Sequence, residues 1–272
     1  MSLVSPRTVL ARVAAQVPES CRHNIIVVGS LAAAYHLLAG RPDELVRTKD
    51  IDCMLVPRVE ARRAGKTVAD TLLAAGWRRR AEGPHAAPGS PNTPDGALPV
   101  IRLNPPDSTD WYIELLGALG AGDARDRAFE RVVLSDGGHY ALASFRHLDL
   151  AAYESVLTAD GLRCARLSML VLSNLLRNPS IRPERMLAAT GPGPRRSNKD
   201  LGRVVTLARL AGRDTVATWP AEWTEALRMF HSARGQKSRP TPETASGRWW
   251  PAKATFRRPS ASAGSASSPT YR

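Results

Sequence analysis

Between Ile25 and Val56 the chain reads IIVVGSLAAAYHLLAGRPDELVRTKDIDCMLV, and this stretch limits the possible folds more than any other. Ile25 to Val28 is a continuous β-branched run, the mark of a strand covered on both faces. Gly29-Ser30 ends it, since glycine permits a sharp turn and a close backbone approach. Leu31 to Leu38 follows as an Ala-rich apolar helix, stopped by Gly40 and Pro42. A polar loop, Arg41 to Lys49, then delivers Asp50-Ile51-Asp52 into a second buried strand, roughly Ile51 to Val56. Side chains two apart on a strand leave the same face, so Asp50 and Asp52 sit together while Ile51 points to the core. Two carboxylates so placed repel strongly unless a cation lies between them, and Mg²⁺ with oxygen ligands is the natural neutraliser. The N–H groups that open the helix, with the Ser30 hydroxyl, offer a place for phosphate. Each signal also has an ordinary reading: a plain turn, and a solvated strand rim. The stretch contains neither G-x-G-x-x-G nor G-x-x-x-x-G-K-[ST], which disfavours dinucleotide-binding and P-loop folds.

The rest of the first half mixes helices and strands. Residues 5–16 read as a helix with Val9, Leu10, Val13 and Val17 on one face, and Thr67 to Ala75 as another closed by Gly76. Strands are expected from Trp77, over Val100 to Leu103, and over Trp111 to Leu116, where Tyr112, Glu114 and Leu116 share a face. Arg131 to Leu134 and His139 to Ala143 read as a hairpin around Asp136-Gly137, and residues 83–97 as a mobile loop. After Phe145 the segments 149–158, 162–177, 199–211 and 220–232 favour helix. From about Gly235 the chain is Ser, Pro, Ala, Gly and Arg, a composition too poor in apolar groups to offset ordering. The expected class is α/β (α+β): a mixed-sheet core over 1–145, a helical domain over 146–234 and a disordered basic tail over 235–272.

The net charge is +13, of which residues 232–272 carry +7 (eight Lys/Arg against one Glu), leaving +6 for residues 1–231. Such a balance suits an anionic partner such as nucleic acid or nucleotide. Cys21, Cys53 and Cys164 form no close pair, and no CxxC is present, so they read as small buried side chains rather than zinc ligands. Cys164 is expected to open an apolar helix. No signal-peptide-like start and no apolar run of spanning length occurs, so a soluble cytoplasmic protein without a membrane partner is expected.

Gly29-Ser30, a helix, then Arg47-Thr48-Lys49-Asp50-Ile51-Asp52 resembles the signature of the DNA-polymerase-beta-type nucleotidyltransferase superfamily, in its minimal abortive-infection or toxin-like branch. The resemblance implies a mixed sheet flanked by helices, with Asp50 and Asp52 as catalytic metal ligands. It implies a third acid on a later strand; Glu114 matches best, with Asp110 as competitor. Gly29, Ser30 and Arg47 would bind the nucleotide. In the helical half, Arg196-Ser197-Asn198-Lys199-Asp200-Leu201 resembles a Lys-Asp pair that opens a late helix in such proteins. Lys199 would then face the phosphates and Asp200 would support the site; alternatively Asn198 caps the helix and Asp200 meets its dipole. The implied cofactors are two Mg²⁺ ions, with an NTP such as ATP as substrate and a hydroxyl as acceptor. That hydroxyl would sit on RNA such as tRNA, on a protein or on a small molecule, and a cognate antitoxin would be a further partner. The tail, with Trp249-Trp250 and Arg257-Arg258, offers stacking and phosphate contacts that favour RNA. Two other classes stay open: a nucleotide- or nucleic-acid-binding module without turnover, and an interaction protein whose acids are a solvated rim.

Overall fold

The computed structural model describes residues 3–38, 46–47, 50–57, 60–80, 87–119, 123, 125, 127–177 and 196–235. Residues 1–235 form one compact unit. The tail expected over 235–272 lies, from residue 236 on, outside the described residues.

The chain opens with β1 (Leu3–Val4), α1 (Pro6–Gln16), α2 (Glu19–Arg22), β2 (Ile25–Val27), α3 (Gly29–Leu37), β3 (Val46–Arg47) and β4 (Asp50–Leu55). It continues with α4 (Ala61–Ala74), β5 (Arg78–Arg79), β6 (Arg102–Asn104), β7 (Tyr112–Ala118), β8 (Arg127–Val133) and β9 (His139–Phe145). It closes with β10 (Val156–Leu157), β11 (Arg163–Cys164), α5 (Leu167–Leu176), α6 (Arg196–Ala211) and α7 (Arg213–Gly235). Most of the described strands join one mixed sheet in the order β10-β11-β2-β4-β7-β6-β5, with β9 pairing β7 and β8 pairing β9. The pairs β11/β2, β4/β7 and β7/β9 are parallel. A mixed α/β sheet followed by helices is therefore the architecture.

β7 is central because both its edges are used. β4 lies along one edge, while β6 and then β9 share the other. All seven of its residues are buried, Glu114 among them. Alternation in β4 sends Ile51, Cys53 and Leu55 to one face and the two aspartates to the other. α4 covers the first face, where Gly65 comes up against the Leu55 side chain. α5 and α6 lie over the aspartate face, leaving a cavity of about 640 Å³ between themselves and the sheet.

Three segments differ from expectation. The helix expected over 149–158 is a 3₁₀ turn, Leu148–Ala152, followed by β10. A turn in which the Gly161 N–H donates to the Thr158 carbonyl folds the chain back into β11, whose parallel pairing with β2 is extended by the Ala165 N–H on the Val27 carbonyl. Satisfying the β2 edge outweighs the helical spacing of LDLAAYESVL. Cys164 consequently sits in a strand three residues before α5, not at the start of a helix. The described part of the 83–97 loop is fastened by Arg131. Its guanidinium donates to the Ser90 carbonyl (3.0 Å) and the Asp95 carboxylate (2.9 Å) and bonds His139 Nδ1 (2.9 Å). A planar fork of donors is suited to reading loop carbonyls in this way. Among the described residues no helix is long and apolar enough to cross a membrane.

Candidate functional site

The sequence places two acids on one face of β4; strand pairing supplies the third. In the parallel β4/β7 register Asp52 lies opposite Glu114 and Asp50 opposite Tyr112. Residues opposite one another across a sheet present their side chains to the same face. Asp50, Asp52 and Glu114 all line the cavity. Asp110, the competitor, is exposed ahead of β7, where its backbone N–H donates to the Ser108 hydroxyl at 3.1 Å. Glu114 is thus the acid that joins the pair.

Gly29 sits at the same place from the other side. The Val28 N–H donates to the Asp52 carbonyl at 2.9 Å, so the β2/β4 ladder runs up to the turn. The chain then enters α3 through Gly29 at φ +71°. A Cβ on Gly29 would fall far inside van der Waals contact with Asp52 Oδ2. Glycine is required here by two independent facts, the left-handed backbone and the carboxylate against it. The close approach that the sequence suggested is therefore made to Asp52, with Ser30 exposed beside it on the cavity wall.

The electrostatics follow from this crowding. Burial, then the charges of Asp50 and Glu114, push the Asp52 carboxyl up from 3.8 to about 7. Two cations act against that rise, Arg203 and then Arg177. Arg177, at the end of α5, is held by the Ser173 carbonyl (3.1 Å) and by Asn174 Oδ1 (3.1 Å). Arg203, on α6, stands 3.8 Å from Asp200, which is buried. Both arginines line the cavity. Sequence reading missed them. Arg203 carried a usable signal, because it lies one helical turn beyond Lys199 and so on the same face. Arg177 carried none.

The remaining expected residues are placed less closely. Asp200 is buried against Arg203 and reaches the site through it. Lys199 lies in α6 and Arg47 in β3, but their side chains fall outside the described residues. Glu114 Oε2 accepts from Arg102 Nε at 2.7 Å. Among the described residues no three His, Cys, Asp or Glu side chains form a ready metal-holding group. The donor chemistry nevertheless fits a hard cation: three carboxylates share one wall, and the burial of Asp52, with the charges of Asp50 and Glu114 beside it, disfavours a carboxylate there unless a cation is present. Glu114 fits it with one oxygen, its other being taken by Arg102.

No protein-family model and no curated protein matches the chain. Among solved structures, the crystal structure of an antigenic nucleotidyltransferase-like protein from Paracoccidioides brasiliensis matches at 15% identity. The match covers 86% of this chain and 92% of that one, with a TM-score of 0.35. The likeness is weak.

Proposed function

We propose that this chain is a metal-dependent nucleotidyltransferase that moves a nucleoside monophosphate from an NTP to an acceptor hydroxyl. The observation that carries the reading is the register that sets Asp52 beside Glu114 with Gly29 against the same carboxylate, on the wall of a nucleotide-sized cavity. Asp50 and Asp52, with the second oxygen of Glu114, would hold Mg²⁺. When bound, Mg²⁺ supplies charge neutralisation for the triphosphate and acidity for the attacking hydroxyl. Ser30 and the turn at Gly29 present hydrogen-bond donors to the phosphates. Arg177 and Arg203 add fixed positive charge where negative charge builds on the leaving pyrophosphate. Lys199 and Arg47 belong to the same proposal as further phosphate contacts. The apolar lower wall, with Leu116, Phe145 and Met169, excludes water and gives the base a surface to lie on.

The test is incubation with each α-labelled NTP, Mg²⁺ and a cell extract separated into RNA, protein and small-molecule fractions. Label should move to one fraction with the wild type and to none with an Asp50→Ala/Asp52→Ala double variant. Equal transfer by that variant ends the proposal. One observation favours a second reading, a nucleotide-binding module without turnover: the Arg102 bond occupies a Glu114 oxygen that a metal would use. NTP binding strengthened by Mg²⁺, with no label in any fraction, would select it.

The two arginines give a graded prediction. Arg177→Ala and Arg203→Ala should each weaken NTP binding about ten-fold, roughly the loss of one charge-assisted contact. Titration calorimetry with Mg²⁺-ATP checks this, and unchanged affinity in both variants would remove them from the phosphate site.

A further inference from the structure

The cavity beside the acids changes character in one direction along four of the elements that line it. On α3 the order is Ser30, then Ala33 and Ala34, then Leu37; on β7 it is Glu114, then Leu116. The two covering helices repeat it with a shared spacing. Leu170, Ser173, Asn174 and Arg177 stand at i, i+3, i+4 and i+7, and so do Arg203, Thr206, Leu207 and Leu210. Such a set is one face of a helix. Each face therefore has arginine at the end where Asp52 feels it and leucine about 10 Å further along, at roughly 1.5 Å per residue. Between the two ends lies a tier made by Ser173, Asn174 and Thr206. A nucleoside triphosphate has the same order of parts: phosphates, sugar, base. With its phosphates against Arg177 and Arg203 and its base on the apolar wall, its sugar comes to that middle tier.

Two of the three polar side chains there are already committed. Asn174 Nδ2 donates to the Leu170 carbonyl at 2.8 Å, while its Oδ1 accepts from Arg177 at 3.1 Å. The Thr206 hydroxyl donates its one proton to the Gly202 carbonyl at 2.8 Å. Further down α5, Ser168 donates to Glu222 at 2.5 Å. Ser173 differs. The residue is 6% exposed, it lines the cavity, and among the described residues its hydroxyl meets no hydrogen-bond partner. A buried hydroxyl is costly to leave unpaired, and a helical serine can ordinarily bond the carbonyl one turn back. Ser173 makes no such bond, so its proton and its lone pairs stay available to what enters the cavity.

We infer that Ser173 reads the sugar of the donor nucleotide, its hydroxyl bonding a ribose hydroxyl. The inference rests on the nucleotidyl-transfer reading and adds a specificity-determining residue to it. A ribose hydroxyl both donates and accepts, so it matches a serine whose donor and acceptor are both open. A sugar without hydroxyls leaves Ser173 buried and unpaired, and a site of this kind rejects such an analogue. The contact is to the sugar, so the discrimination holds for every base.

The test is titration calorimetry of the full chain with Mg²⁺ and each NTP, set against its 2′,3′-dideoxy counterpart. The wild type should bind the NTP about five-fold more tightly, the worth of one neutral hydrogen bond. Ser173→Ala should bind the two forms alike, with about the affinity that the wild type shows for the dideoxy form. The 2′-deoxy and 3′-deoxy forms locate the contact, and a loss with either one supports it. Without nucleotide, Ser173→Ala should melt no lower than the wild type, since it removes an unpaired hydroxyl from a helix that favours alanine. Equal affinity of the wild type for the two forms, or a preference that survives Ser173→Ala, overturns the inference and leaves nucleotidyl transfer standing. Absence of binding by any NTP is a different result, the failure of the parent reading.

Discussion

Asp52→Asn is expected to abolish nucleotidyl transfer and, in the absence of metal, to make the protein more stable above neutral pH. Folded Asp52 titrates at about 7, above its ordinary 3.8. Between those values the folded protein holds a proton that the unfolded chain has released. Stability therefore falls as pH rises through that window, and the full penalty is present above about 7. The gap corresponds to about 4 kcal/mol, and screening by cavity water leaves roughly 2 kcal/mol. Asparagine keeps the shape and carries no charge, so the variant should escape the penalty. Urea melts in chelator at pH 5 and pH 8 test this. The gain should be full at the higher pH and less than half as large at the lower one, which still lies above 3.8. A gain of the same size at both would mean that Asp52 is not the titrating group. Mg²⁺ should stabilise the wild type at the higher pH and affect the variant much less.

The second large effect is expected at Gly29. Gly29→Ala adds a Cβ at a left-handed position and drives it into the Asp52 carboxylate. Backbone strain of this kind costs about 1–3 kcal/mol. The displaced carboxylate should cost activity far more, about a hundred-fold, because small shifts of a reacting group are amplified in rate. The double variant Gly29→Ala/Asp52→Gly separates the two causes. It should recover only the part of the stability lost to the collision, the strain of the left-handed backbone remaining, and should not recover activity. If Gly29→Ala melts and turns over like the wild type, the turn at Gly29 does not set the position of Asp52.

Much of this site is legible in the sequence, and what is missing shares one physical cause. Gly29, Asp50 and Asp52 are readable because strand alternation and turn chemistry act within a few residues. Glu114 is readable by parity on a strongly apolar strand, but its placement opposite Asp52 depends on a parallel pairing across some sixty residues. Local periodicity carries no information of that kind. Arg102 becomes part of the site only through the β6/β7 register, and Arg177 only because α5 packs over the sheet. The start of α4 was missed for a different reason. Ala61, Ala64 and Gly65 hold its buried face there, and residues so small give little hydrophobic signal beside Arg62, Arg63 and Lys66. In 149–158 the spacing favours a helix, but the β2 edge recruits the chain as strand.

The pairing of β11 with β2 has a consequence for how the protein is made. β2 leaves the ribosome about 137 residues ahead of the strand that covers its outer edge (Val27 to Cys164). The cavity needs α6 as well, which is later still. A growing chain thus carries Asp50 and Asp52 long before it has walls to enclose a cavity beside them. Whatever chemistry the acids perform is withheld until α6 has been made, and a product terminated before it carries the acids without an enclosed site.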